Sequence, residues 1–221
     1  MKPPADPNAP HRPRQGVVAP TVRKELLTDL DWYDVSVTDD LSGASLGQVQ
    51  IRCAQLTSAL LVGTDLQAAR IIDATFDGCD LSGARLDEAS LTRVEFRDCR
   101  LSGVQLSAAR LHDVRFIGCR LDGASFRMAE GKRVCFEECV LTEAEFSAAQ
   151  LDRCRFLGCD LTSAEFSQAR IPDAALLGST VEGLRGVSGL QRPIIDVAQV
   201  MPFALSLLAL HGVVIQREDD D

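Results

Sequence analysis

Every fifth residue from Leu41 to Val181 is Leu, Ile, Phe or Val, with Gly131 the single exception among twenty-nine positions. Two residues before each of these runs a second series, from Ala44, Val49, Ala54, Ala59 and Thr64 to Ser179. All twenty-eight of its members are Ala, Cys, Val, Thr or Ser. A period of five matches neither the 3.6 of a helix nor the 2.0 of an ordinary strand. Self-similarity sustained at a fixed period is the signature of a solenoid. The large residue of each repeat is expected to point inward, with the small residue sharing the interior. The other three positions, rich in Asp, Glu, Arg, Ser, Gly and Gln, then face water.

A second period sets the size of the coil. Cys79, Cys99, Cys119, Cys139 and Cys159 recur every twenty residues, as do Phe76, Phe96, Phe116, Phe136 and Phe156, and Leu81, Leu101, Leu121, Leu141 and Leu161. Four pentapeptides therefore make one turn, and like residues stack along the axis. No coil can bury its centres alone, so stability comes from stacking neighbours. Eight of the nine Phe are repeat centres, while aromatic residues make up only 5% of the chain, as a narrow interior filled by Leu, Ala, Val and Phe requires.

The motifs Ala-Arg-Leu-Asp-Glu at 84–88, Ala-Glu-Phe-Ser-Ala at 144–148 and Cys-Asp-Leu-Thr-Ser at 159–163 resemble those of the pentapeptide-repeat proteins. The resemblance spans Leu41 to about Val181. It implies an all-β solenoid, specifically a right-handed quadrilateral β-helix. At ~4.8 Å per coil, about seven coils make a rod on the order of 34 Å long.

The ends differ from the body at 41–185. Residues 1–20 hold Pro3, Pro4, Pro7, Pro10, Pro13 and Pro20 with little apolar content, and are expected to be a disordered tail. Residues 21–40 crowd Leu26, Leu27, Leu30, Trp32 and Tyr33 before the first regular repeat. They read as a cap over an otherwise open solenoid end. In 186–221, Gly183, Gly186 and Gly189 break the pattern just before or within a second cap. Asp196 is placed to cap a helix to about Leu210, with Gly212 as terminator, Pro202 kinking it or starting its second half, and Asp219–Asp221 as a frayed acidic tail. Val197, Val200, Met201, Ala204, Leu207 and Leu208 follow helical spacing and are expected to cover the last coil. Phe203, Leu205 and Leu210 lie off that face. Such an all-round apolar helix is expected to be buried on both sides, which predicts a cap and homodimer element formed by Val197, Met201, Phe203, Leu205, Leu207 and Leu208.

Chemistry is sparse. Cys79, Cys99, Cys119, Cys139, Cys154 and Cys159 occupy the small inward position, where Cys acts as a small hydrophobe. Cys53 and Cys135 fall outside that series and read as exposed thiols. The cysteines lack the paired spacing of a zinc site. His11, His112 and His211 have no nucleophile at motif spacing, and there is no Gly-rich phosphate loop. Neither catalytic residues, a cofactor nor a metal is expected. No segment has the apolar core of a signal peptide or the length of a membrane span, so the expected setting is soluble and, in a bacterium, cytoplasmic.

Charge speaks to partners. The chain carries net −9, which disfavours direct binding to nucleic acid. The resemblance implies one specific possibility, because some bacterial members of the family protect DNA gyrase and topoisomerase IV against quinolones or toxins as dimeric, acidic, DNA-like rods. Residues 41–185 hold 20 acidic and 16 basic groups. Duplex DNA of the same length would carry roughly 20 charges, so mimicry would need a local acidic strip. Glu137, Glu138, Glu143 and Glu145, with Glu165 one coil above Glu145, form the best candidate. The alternative is a scaffold for an unrelated protein. At the one defect, Gly131, the expectation is that Met128 turns inward or that the backbone bulges near Glu130–Arg133.

Overall fold

A computed structural model describes residues 6–10, 27 and 29–213. The expectations for the rest of the proline-rich tail, for Leu26 and for the acidic terminus lie outside the described residues. The body is one parallel sheet coiled on itself. Its strands are β1 (Asp31–Tyr33), β2 (Ser36–Val37), β3 (Gln50–Thr57), β4 (Arg70–Asp77), β5 (Ser90–Arg97), β6 (Arg110–Ile117), β7 (Glu130–Glu137), β8 (Gln150–Asp152) and β9 (Arg155–Leu157). They stack in the order β1-β3-β4-β5-β6-β7-β8, with β2 beside β3 and β9 beside β7. About six turns result.

Each eight-residue strand carries two centres five residues apart, so it serves two faces of the coil. The bend between them falls on a left-handed residue, at Cys53, Asp73, Arg93, Asp113 and Arg133 in successive turns. The other two faces are turns joined by single bridges such as Leu60↔Asp80 and Asp65↔Arg85. There the Leu61 N–H donates to Asp80 O at 2.7 Å, and the Ala44 N–H closes a turn onto Leu41 O at 3.0 Å.

Every centre from Leu41 to Val181 except Gly131 is at most 2% exposed, which establishes the inward assignment. Phe76, Phe96, Phe116, Phe136 and Phe156 form one column of stacked rings 4.7–5.1 Å apart. Phe126, Phe146 and Phe166 form a second at 4.9 and 5.0 Å. The columns meet edge to face, with Phe126 and Phe136 at 5.5 Å and 87°, a geometry favoured by the ring quadrupoles. Beside them the thiols of Cys99, Cys119, Cys139 and Cys159 approach Phe76, Phe96, Phe116 and Phe136 carbonyls at 3.3–3.5 Å. Thr64 and Ser179 donate at the same offset to Leu41 O at 2.9 Å and Phe156 O at 3.1 Å. The small position thus holds whichever residue fills little volume and can reach that carbonyl.

Gly131 corrects the sequence reading. β7 stays in register through Leu111↔Gly131↔Leu151, and Met128 is 52% exposed. The neighbours close the gap instead. A Cβ at Gly131 would lie 3.0 Å from Leu151 Cδ2, 3.0 Å from Val134 Cγ2 and 2.8 Å from Leu111 O.

The N-terminal cap is narrower than expected. Trp32 pairs with Ile51, is buried and donates its indole N–H to Asp29 O at 2.7 Å. Tyr33, Leu27 and Leu30 are exposed, and the Arg52 guanidinium lies 5.6 Å from the Tyr33 ring centre.

At the other end Gly186 has φ +63°, and a Cβ there would fall 2.2 Å from Ser167 N, so only glycine fits the crossing. A 3-10 turn at Val197–Gln199 leads into helix α1 (Val200–Leu210). Pro202 lies in the first turn of α1, where a missing N–H breaks no intrahelical bond, and the helix runs through it unbroken. Gly212, at φ +69°, follows its end.

The face of α1 that meets the coil is also corrected. Phe203 and Ser206 are buried together with Gln199, whereas Val197, Val200, Met201, Leu207 and Leu208 are exposed. The physical reason is polar. Gln199 Nε2 donates to Leu176 O at 2.6 Å and Ser179 O at 2.5 Å, satisfying carbonyls that no apolar side chain could serve. Its Oε1 accepts from the Asp196 N–H at 2.7 Å, and these bonds fix the rotation of the helix.

Candidate interaction surfaces

The five glutamates of the expected strip do not share one face. Glu145 and Glu165 stand in register on adjacent turns, and with Glu143, Ser163 and Arg185 they line a shallow open concavity. Arg127 pairs with Glu145 at 3.2 Å, and Arg185 with Glu165 at 3.3 Å. Glu137 ends β7 on another side, where it accepts from Arg115 Nη2 at 2.9 Å. Glu138 sits exposed at a left-handed corner between the two groups. Three glutamates therefore come together, and arginines partly neutralise them.

A charged column at the corner of the long strands was missed. Arg93 grips Asp73 through Nε and Nη2 at 2.6 and 2.7 Å. Arg133 holds Asp113 in the same way, with Nη2 at 2.6 Å, and Arg192 Nη2 meets Asp173 at 3.0 Å. Opposite charges about twenty residues apart at corner positions were the available signal. The Arg133 guanidinium, aided by Asn8, holds the buried Asp113 carboxyl below the ordinary carboxylate range. This contribution is complete above the unfolded value of about 3.9 and fades as pH falls through the lower folded one. Asp113→Asn is expected to cost roughly 1–2 kcal/mol at neutral pH. In urea titrations the gap between variant and parent should shrink steadily in acid.

Residues 6–10 depart from the expected disorder and lie against this side of the rod. Asp6 pairs with Arg155. The Asn8 backbone N–H and Nδ2 donate to the two Asp113 carboxylate oxygens at 3.0 and 3.1 Å. Pro7 is buried between them. Polar contacts on either side of one buried proline hold the segment.

The thiols divide. Cys53 is half-exposed at a corner, its pKa raised by burial and by Asp73. Cys135, read from the sequence as exposed, has no accessible surface, and burial pushes its thiol up to about 12. His112 Nε2 lies 3.1 Å from Arg133 Nη2. Among the described residues no group of three His, Cys, Asp or Glu could hold a metal ion, and no helix is long and apolar enough to cross a membrane.

On α1 and the turn before it, Val197, Met201, Leu205 and Leu208 form a stripe opposite Phe203, at exposures of 91%, 69%, 44% and 40%. Leu207 flanks it. Apolar surface is thus aligned along one side of the helix at the rod's end rather than scattered singly.

Two family models match the coil. The pentapeptide repeat region matches residues 49–126 and 89–151, and the eight-copy pentapeptide repeats match 139–176. The chain belongs to the pentapeptide-repeat family. Several solved pentapeptide-repeat structures are similar to the chain. Full-length QnrB1, a plasmid-mediated fluoroquinolone resistance protein, is 23% identical with a TM-score of 0.48, covering 83% of this chain and 90% of that one. HetL, involved in heterocyst differentiation regulation in the cyanobacterium Nostoc sp., is 20% identical at a TM-score of 0.36, covering 74% and 86%. A pentapeptide repeat protein from the Arabidopsis thaliana thylakoid lumen is 25% identical at 0.28, covering 59% and 73%. No curated protein matches the chain.

Proposed function

We propose that this pentapeptide-repeat protein is a non-enzymatic, cytoplasmic protein-binding rod that works as an end-to-end homodimer and protects a type II topoisomerase, gyrase or topoisomerase IV, by occupying its DNA-binding saddle. The apolar stripe Val197, Met201, Leu205 and Leu208 carries the reading, because it gives a second copy a self-complementary surface at one end of the rod. Joining two rods there doubles their length and repeats the Glu143, Glu145 and Glu165 cluster along one elongated body. The family resemblance suggests the topoisomerase; the apolar stripe and the acidic cluster support the assembly.

A second reading, a scaffold for an unrelated protein, is favoured by the arginines on Glu145 and Glu165. A gyrase supercoiling assay with a fluoroquinolone separates the two. Topoisomerase protection predicts that the native chain restores supercoiling while Met201→Asp, expected to be monomeric, restores it poorly. No effect of the native chain at micromolar concentration would leave the scaffold reading in place.

A further inference from the structure

The face formed by the second halves of the long strands carries an outward column that is exposed at Gln55 but buried at two points along its middle, where a solenoid surface should be wet. In register along it stand Gln55, Thr75, Glu95, Arg115, Cys135 and Arg155. These residues immediately precede a repeat centre, a position expected to face water. Yet Glu95 is 3% exposed and Cys135 fully covered, and Arg115 Nε is buried without an acceptor among the described residues.

Residues 6–10 lie over this column. Asp6 engages the turn of Arg155 and Asn8 that of Asp113, two turns away, with the buried Pro7 between them in the chain and Cys135 on the turn between. Ala9 and Pro10 continue over Gln55, Thr75, Asp77, Glu95 and Arg97. The segment therefore runs along the axis, across the strands, and is read group by group. A cation meets its carboxylate, a buried carboxylate takes its carboxamide and a backbone N–H, and a proline fills the space between. A segment outside the sheet, held by the side chains of Asp6 and Asn8 rather than by a ladder of backbone bonds, can open locally and exchange.

We infer that this face is a peptide-binding site whose resident ligand is the chain's own residues 6–10. An extended partner segment offering the same groups, a carboxylate and then a carboxamide two residues on with proline between, can replace them. The site lies apart from α1 and from Glu143, Glu145 and Glu165, and it does not depend on the identity of the topoisomerase partner.

Cys135 reports occupancy. In the full chain, maleimide labelling located by mass spectrometry should modify Cys53 readily and Cys135 slowly, because the thiol must be reached by solvent to react. The double substitution Asp6→Arg and Asn8→Asp sets like charges against Arg155 and Asp113. It should speed Cys135 labelling at least tenfold while the interior Cys119 stays unmodified, which shows that the coil remains folded. Adding a peptide of residues 4–11 at millimolar concentration to that variant should slow Cys135 again, and a scrambled peptide should not. Equal Cys135 rates in parent and variant would overturn the resident ligand. A faster rate that the peptide fails to slow would overturn the exchange.

Discussion

Phe116→Ala is expected to lower stability by roughly 3–5 kcal/mol. Phe116 is fully buried, stacked on Phe96 and Phe136 at 4.9 Å on either side and in edge contact with Phe126 at 6.1 Å. Its neighbours cannot collapse into the space, because each is fixed by a rung of backbone hydrogen bonds. Cys119→Ala removes one sulfur from a position that Ala fills in most repeats, together with its weak contact to Phe96 O at 3.5 Å. It should cost about 1 kcal/mol or less. Urea midpoints measure the difference directly, and equal midpoints would contradict the inward assignment of the five-residue period.

Gly131→Ala is expected to destabilise by about 1–3 kcal/mol, although it moves the sequence toward its own repeat. In an ordinary strand replacing Gly with Ala gains about 0.5–1 kcal/mol. Here the new Cβ would meet the Leu111 carbonyl oxygen at 2.8 Å, and a backbone oxygen held in a sheet gives way less easily than a side-chain tip. Leu151 and Val134 already occupy the volume that a large centre would need. A stabilised variant in the same urea titration would show that the site is an unfilled cavity.

The five- and twenty-residue periods made the coil, its interior and its stacking legible in the sequence, because each inward position repeats the same steric demand. The rotation of α1 was not legible. Apolar spacing alone chose Val197, Met201 and Leu208 as the inner face, whereas the open carbonyls of Leu176 and Ser179 select Gln199 and carry Phe203 inward with it. Gln199 does so at an offset of 23 residues from Leu176, the same offset that links Cys99 to Phe76. A polar residue in an apolar run was therefore the clue. The acidic strip was half legible. Glu145 and Glu165 share a face because they are twenty residues apart. Glu137 instead follows the centre Phe136 at the end of β7, less than half a turn before Glu145, and so belongs to another side of the coil. The docking of residues 6–10 on the rod left no trace in composition, since an ion pair and a carboxamide hold that segment.

The dimer is the part of the account on which the functional reading rests, and mass in solution tests it most directly. Light scattering of the native chain at micromolar concentration should give about twice the 23.9 kDa chain mass. Met201→Asp, placed where the side chain is 69% exposed and so harmless to folding, should give the chain mass itself, because an unpaired charge buried in an apolar interface is costly. A native chain that scatters as a monomer at that concentration would contradict the end-to-end assembly.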